Sequence, residues 1–227
     1  MLPIPNYISI VFLFTVLVAI GFIYRASRSN KPFLIVLLCW VILQSVLGYS
    51  QFYVNFISIP PRFILAVMPP VLTICFLLFS RKGKLFLNSL DQKILTLLHV
   101  VRIPVELVLY WLFLNKQVPE LMTFAGRNLD ILSGLSAPLI YYFYFMKKSM
   151  NPWLFLLWNF VCVGLLFTIV VNAIFSAPFS FQQFAFDQPN RAVFYFPFNL
   201  LPSVVVPIVL FSHVALIRQT RLNLSSK

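Results

Sequence analysis

Residues 153–175 read WLFLLWNFVCVGLLFTIVVNAIF, a stretch without a charged side chain that is long enough to cross a bilayer as one helix. A spanning helix needs roughly 20 apolar residues, and within lipid it must satisfy its own backbone hydrogen bonds. Six other apolar runs lie at residues 7–24, 33–52, 63–79, 94–113, 131–145 and 198–217. The sequence therefore predicts an all-α fold, an integral membrane bundle of seven transmembrane helices that forms one domain over residues 1–227.

The composition agrees with this fold and excludes an ordinary soluble one. Apolar residues make up 61% of the chain and charged residues 10%, and the mean hydropathy is +0.93. A soluble domain has roughly 45–50% apolar and about 25% charged residues. Seven helices with short connections use most of the chain, which leaves no length for a second, soluble domain.

The basic residues sort to one side of the predicted bundle, and the net charge is +12. Twelve of the 17 lie in the first, third and fifth connections and in the tail: Arg25, Arg28, Lys31, Arg81, Lys82, Lys84, Lys93, Lys147, Lys148, Arg218, Arg221 and Lys227. Because basic connections stay in the cytoplasm, we predict a plasma (inner) membrane protein with its N-terminus outside and its C-terminus cytoplasmic. These residues are expected to meet anionic lipid headgroups, so the charge does not call for nucleic acid as a partner.

Two sequence echoes suggest an internal repeat. Residues 24–34 (YRASRSNKPFL) and 144–154 (YFMKKSMNPWL) share a Tyr, a basic residue, Ser, Pro, an aromatic residue and Leu at matching offsets. Pro70 and Pro207 each precede an arginine by eleven residues. Our hypothesis is a 3+1+3 plan, in which spans one to three and five to seven are parallel repeats joined by span four. The alternative is that two apolar sequences resemble each other by chance.

Span four, ILTLLHVVRIPVELVLYWLF, is the only one with several ionisable groups in its middle. His99, Arg102 and Glu106 follow at i, i+3 and i+7, which places them on one helical face. An ionised side chain at mid-bilayer costs roughly 2.5–3.5 kcal/mol, so this face is expected to point into the bundle. Arg102 and Glu106 are four residues apart and could pair, which leaves two interpretations, a structural ion pair and a ligand site.

Three polar residues in other spans are candidate partners for this face, namely Gln44 in span two, Asn159 in span six and His213 in span seven. The leading hypothesis is a protein that binds or transports a small molecule through an intrabundle polar cavity. In that cavity Arg102 would hold an anionic group, or would neutralise Glu106 until a ligand or a proton displaces it.

Other functions stay open at this point. One is a seven-helix receptor or an accessory subunit that acts with a partner. Another is a membrane b-type haem protein, with His99 and His213 as the axial ligands. No G-x-S-x-G, H-E-x-x-H or Gly-rich phosphate loop is present, which argues against an enzyme. The sequence does not identify a ligand or a cofactor, and it leaves a homo-oligomer open.

Two features lie at the predicted external side. The connection 176–197 carries phenylalanines at 179, 181, 184, 186, 194 and 196, and it is expected to form a β-hairpin or an aromatic loop, either a lid or a membrane-surface anchor. Asp130, just before span five, is interpreted as a helix cap. The small residues that follow it, Ser133, Gly134, Ser136 and Ala137, predict close helix packing.

Overall fold

A computed structural model describes residues 4–58 and 60–225 of the chain, so Lys227 of the predicted basic tail lies outside the described residues. Within this part 74% of the residues are helical and there is no strand, which confirms an all-helical protein. The α-helices are α1 Asn6–Ala26, α2 Lys31–Tyr49, α3 Ile64–Phe79, α4 Arg81–Ser89, α5 Gln92–Leu98, α6 Arg102–Leu114, α7 Ile131–Tyr141, α8 Pro152–Phe175 and α9 Val206–Ser225. Short 3₁₀ segments lie at Phe52–Val54, His99–Val101, Glu120–Met122 and Ala192–Phe194, and π-helical turns lie at Tyr142–Met146 and Leu201–Val205.

All seven apolar runs are helical, but they differ in length. Among the described residues, five stretches are long and apolar enough to cross a membrane: Asn6–Ala26, Lys31–Tyr49, Gln92–Leu114, Pro152–Phe175 and Leu201–Ser225. The third run reaches that length only together with α4, after a bend of 95°. The fifth run is a shorter apolar helix, Ile131–Met146. The structure therefore has five or six candidate spans, which is compatible with a membrane protein.

Helix starts follow from capping residues that the sequence places between the apolar runs. Asn30 accepts a hydrogen bond from the Phe33 amide at the start of α2, and Asn151 accepts one from the Trp153 amide at the start of α8. A proline lies in the first turn of both helices, where its missing N–H costs nothing. The two echoed connections thus begin their helices in the same way.

The bend between α3 and α4 is set by Ser80, whose backbone is extended and whose hydroxyl caps α4 through the Gly83 amide. Gly83 packs directly against the Leu77 backbone, and a Cβ at this position would overlap it. Sequence analysis did not anticipate α4 as a helix of its own. It is amphipathic, with Arg81 exposed and Leu87 buried, and it packs beneath α9.

Two candidate spans form the centre of the bundle. They are span four, Gln92–Leu114, and span seven, Leu201–Ser225, and about half of the residues of each are buried. α1 packs against span four, and α8 packs along α9. By contrast only 11% of α2 is buried, and apart from Lys31 at its start its large exposed side chains are apolar. A peripheral helix of this composition suits an environment of lipid, since water would not solvate its surface.

The connection 176–197 contains no strand, so of the two predicted forms it has the loop and not the hairpin. Some of its backbone hydrogen bonds close turns within the loop, such as Asn190 N–H to the Ser176 carbonyl, and others go to distant parts of the chain. The Arg191 and Ala192 amides donate to the Gln117 carbonyl, and the Gln188 side chain donates to the carbonyls of Phe113 and Val118 at the end of α6. The loop is thus fastened across the end of span four.

Candidate functional site

The local shape of span four positions its ionisable side chains. Pro104 has no N–H and its ring would meet the carbonyl of residue 100, so a regular α-helix cannot pass this point unchanged. The chain forms a 3₁₀ turn at His99–Val101, and α6 begins at Arg102. In a 3₁₀ turn residues i and i+3 lie one above the other. His99 and Arg102 therefore share one face, and that face points into the bundle, where the two residues are 0% and 2% exposed.

Arg102 is the centre of a set of buried polar side chains from four parts of the fold. Its Nη1 donates to Asp130 Oδ1 at 2.6 Å, just before α7, and its Nη2 lies 2.9 Å from His213 Nε2 on α9. A longer contact of 3.5 Å joins Nη1 to the Cys162 carbonyl on α8. We call this set the polar core. It comprises His99, Arg102, Glu106, Asn128, Asp130, Asn159 and His213.

The ion pair is not the one that the sequence suggested. Arg102 pairs with Asp130, and no Arg102–Glu106 bond forms. Asp130 is not a side-chain cap either, because its backbone is already helical (φ −64°, ψ −23°) and its side chain makes no capping bond. The Asp130 amide instead donates to Asn128 Oδ1, and its carboxylate accepts from Arg102.

Glu106 is bound by an amide and not by a cation. Asn128 Nδ2 donates to Glu106 Oε1 at 2.5 Å and to the Met122 carbonyl at 3.0 Å. Glu106 is 1% exposed, and its second oxygen, Oε2, has no partner. The side chain therefore keeps one free hydrogen-bonding position inside the bundle.

The protonation of His213 follows from its partners. An arginine guanidinium only donates hydrogen bonds, so the His213 Nε2 that faces Arg102 must be the accepting nitrogen. The proton of a neutral ring is then on Nδ1, which lies 2.8 Å from Asn159 Oδ1 and donates to it. Asn159 in turn donates through Nδ2 to the Phe155 carbonyl at 2.9 Å. Each donor in this series, from Arg102 to the Phe155 carbonyl on α8, therefore meets an acceptor when His213 is a neutral ring.

His99 and His213 do come together, but not as a pair of haem ligands. Their rings stack with centroids 3.9 Å apart at an interplanar angle of 15°. Axial ligands must each point a nitrogen at an iron that lies between them. Two rings stacked face to face at this spacing leave no room for a porphyrin, so the haem interpretation fails on geometry. Both nitrogens of His99 lack a hydrogen-bond partner.

The small residues after Asp130 let α7 approach span four closely, as predicted. A Cβ at Gly134 would lie 2.9 Å from Ile103 Cγ1 and 3.2 Å from the His99 carbonyl. Ser136 accepts a hydrogen bond from Trp158 Nε1, and the Trp158 ring contacts the edges of both histidines. This packing closes the polar core on the side of α7 and α8.

Gln44 does not join the polar core. Its Oε1 accepts a hydrogen bond of 2.7 Å from the Tyr53 hydroxyl, and its carbonyl accepts one from Asn199 Nδ2. Burial raises the pKa of Tyr53 above its ordinary value, so the hydroxyl stays a donor at neutral pH. Gln44 thus ties α2 to span seven at a distinct place in the bundle.

Of the six predicted site residues, the structure brings five together: His99, Arg102, Glu106, Asn159 and His213. Sequence analysis missed Asn128 and Asp130 as members. The available signal was that both are polar residues directly before an apolar run, one of them among only five acidic residues in the chain. Within the described residues no group of three His, Cys, Asp or Glu side chains is placed to hold a metal ion.

An aromatic cluster closes one end of the bundle. Phe194 and Phe179 from the loop 176–197 pack against Phe56 and Phe63 from the connection between α2 and α3, with centroids 4.7 to 5.8 Å apart. Phe194 is fully buried. Together with the Gln188 bonds to the end of α6, this cluster covers the bundle at that end.

The opposite end has an open polar cleft with a volume of about 550 Å³. Among its lining residues are Arg28, Asp91, Lys93 and Gln219. Lys93 and Gln219 are each six residues from a histidine of the polar core, which is roughly 9 Å along a helix. The cleft therefore lies about two helical turns from the polar core.

Fold and site together define an all-helical protein of membrane-like composition with a buried, charged polar core. Residues 60–221, from the approach to α3 into α9, match the family model described as a domain of unknown function (DUF8737). The chain belongs to this family. No curated protein and no solved structure matches the chain.

Proposed function

We propose that this chain is a multi-pass membrane protein that binds a small molecule at the polar core and transports it through the bundle. The observation that carries the proposal is the set of buried polar atoms without a partner. They are His99 Nδ1 and Nε2, Arg102 Nε and Glu106 Oε2. Buried polar groups are almost always hydrogen-bonded, because an unpaired one costs about 1–3 kcal/mol. Several on one helical face support a bound occupant.

The same atoms indicate the chemistry of the occupant. Arg102 Nε is a donor, Glu106 Oε2 accepts when it is ionised, and a neutral His99 offers one donor and one acceptor. Arg102 already neutralises Asp130, so an anion would have to compete with a buried carboxylate. A small molecule that carries both donors and acceptors fits these partners better than a simple anion.

Access to the polar core is proposed from the side of the polar cleft. The aromatic cluster and the loop 176–197 cover the other end of the bundle. The cleft holds both acidic and basic side chains, and it reaches to within about two helical turns of the histidines. This arrangement corresponds to a transporter state that is closed on the side of the loop.

We further propose seven spans with the N-terminus outside, in the plasma (inner) membrane, and spans one to three and five to seven as parallel repeats. The shared capping of α2 and α8 supports the repeat. The basic residues at the ends of the spans support the orientation and a contact with anionic headgroups.

Single cysteines introduced in a background without the native cysteines test the orientation. Gln183→Cys in the loop should react with a membrane-impermeant maleimide added to intact cells, whereas Ser29→Cys should react only after lysis. The reverse pattern would overturn the orientation.

The function itself is tested by mass spectrometry of small molecules that co-purify with the folded protein. A molecule should be released on unfolding of the wild type and be lost from Glu106→Gln, which keeps the shape of the side chain and changes its hydrogen bonding. Glu120→Gln is the matched control, because Glu120 is exposed and outside the polar core. Equal recovery from all three proteins, or no molecule from the wild type, would contradict a binding site at the polar core.

A further inference from the structure

The charges inside the bundle do not balance. Among the described residues, three side chains of the types Arg, Lys, Asp and Glu are buried. They are Arg102, Asp130 and Glu106, which are 2%, 5% and 1% exposed. They are one cation and two carboxyls. An uncompensated charge in a buried site costs several kcal/mol. One of the two carboxyls must therefore be neutral, or it must have another cation beside it.

Asp130 is the carboxyl that the arginine compensates, because it makes the 2.6 Å contact with Arg102 Nη1. Glu106 receives only the Asn128 amide on Oε1, and nothing on Oε2. A neutral amide satisfies a lone pair but supplies no charge. Glu106 is thus the carboxyl without a partner of opposite charge.

The elements around Glu106 offer no second cation. The neighbouring helix α1 presents apolar side chains and Thr15 on its buried face, and α8 presents Cys162 near Arg102. The buried residues of α7 are Ser133, Gly134 and Ala137, and the segment Glu120–Met122 has a carboxylate and no cation. Arg127, which precedes Asn128, is exposed. On α9, His213 is neutral because its Nε2 accepts a hydrogen bond from Arg102. On span four itself, His99 stacks on His213 beside the arginine, where a second positive charge would be repelled.

A metal ion is a poor alternative to a proton at this position. Among the described residues there is no group of three His, Cys, Asp or Glu side chains that could bind one. The guanidinium of Arg102 also lies close enough to Glu106 to interact with it electrostatically, and it would repel a metal cation.

We propose that Glu106 is a proton-binding residue, which carries a proton on Oε2 while the arginine is paired with Asp130. The proposal rests on the proposed function in one respect only, namely that the free position at Oε2 faces the occupant of the polar core. With its proton, Glu106 donates a hydrogen bond to that occupant. After the proton has passed to water, the same oxygen accepts one, so occupancy and protonation are coupled.

The test is infrared spectroscopy of the full-length protein in micelles of a maltoside detergent, which has no ester carbonyl to overlap a carboxyl band. A protonated carboxyl has a C=O stretching band that a carboxylate lacks. The wild type at neutral pH should show this band from a buried carboxyl, and the band should be lost on titration to alkaline pH. Glu106→Gln should lack the band at neutral pH, and Glu120→Gln should keep it, because it removes only an exposed carboxylate.

Absence of the band from the wild type at neutral pH, or its persistence in Glu106→Gln, would overturn the proposal. If Glu106→Gln does not fold, Glu106→Asp takes its place. A shifted band then supports the proposal and an unmoved band contradicts it. The measurement does not depend on a co-purified molecule, so an empty polar core with the band present would contradict the proposed function and leave the proton site standing.

Discussion

The charge balance of the polar core predicts a non-additive effect of two conservative substitutions. Asp130→Asn removes the partner of Arg102, and Glu106→Gln replaces a neutral carboxyl by a neutral amide of the same shape. In Asp130→Asn alone, Glu106 lies four residues from Arg102 on the same helix and compensates the guanidinium by releasing its proton. In the double variant no carboxylate remains in the polar core.

The magnitudes follow from burial and contact. Asp130→Asn loses a charge-assisted hydrogen bond of 2.6 Å, which is worth about 1.5–3 kcal/mol of the free energy of unfolding. Glu106→Gln keeps the bond from Asn128 and should cost about 1 kcal/mol or less. The double variant leaves Arg102 buried and alone, a situation that costs about 3–5 kcal/mol. We expect its cost to exceed the sum of the single costs by at least about 0.5 kcal/mol.

The assay is reversible unfolding by a denaturing detergent in mixed micelles, followed by the fluorescence of the four tryptophans. The matched control is Asp187→Asn with Glu120→Gln, which removes two exposed carboxylates. This pair should change the free energy of unfolding by no more than about 0.5 kcal/mol for each substitution, and additively. Additive costs in the Asp130 and Glu106 cycle would refute the assignment of a proton to Glu106 and of the negative charge to Asp130.

Three further predictions concern other contacts. Gly48→Ala should destabilise the bundle by about 1–3 kcal/mol, because its Cβ would overlap the amide of Asn199, whereas Gly164→Ala meets nothing within 4 Å and should be neutral or stabilising in the same assay. Tyr53→Phe should cost about 1 kcal/mol, since it leaves the buried Gln44 oxygen without its donor. In ¹⁵N spectra of histidine-labelled protein at neutral pH, His213 should be the neutral form with the proton on Nδ1, and a protonated Nε2 would contradict its bond to the arginine.

Much of the fold was accessible from the order of the residues. Long apolar runs without the alternating pattern of a barrel strand are expected to satisfy their backbones as helices, and each run is helical in the structure. The starts of α2 and α8 could also be predicted, because Asn30 and Asn151 carry the side-chain acceptor that a free amide at a helix start needs. The length of the third apolar helix was harder to predict, since the break at Ser80 depends on how closely Gly83 packs against the preceding helix.

The candidate site, too, was predictable from the sequence in part only. The spacing of His99, Arg102 and Glu106 on one helix was enough to predict a buried face, because helical geometry is local. The partners of that face were not predictable from spacing. Asp130 is 28 residues from Arg102, and His213 is 111 residues away. Only the packing of α7 and α9 against span four brings them within hydrogen-bonding distance.

By itself the sequence determined the all-helical class, the helical runs and the buried face of span four, since each depends on hydropathy or on a helical repeat. The tertiary structure decided which carboxylate neutralises Arg102, which imidazole nitrogen carries a proton, and that Gln44 belongs elsewhere. It also replaced the haem interpretation by a stacked histidine pair. The physical reason is that pairing is a matter of distance and orientation between helices, and a sequence fixes these only through the whole packed bundle.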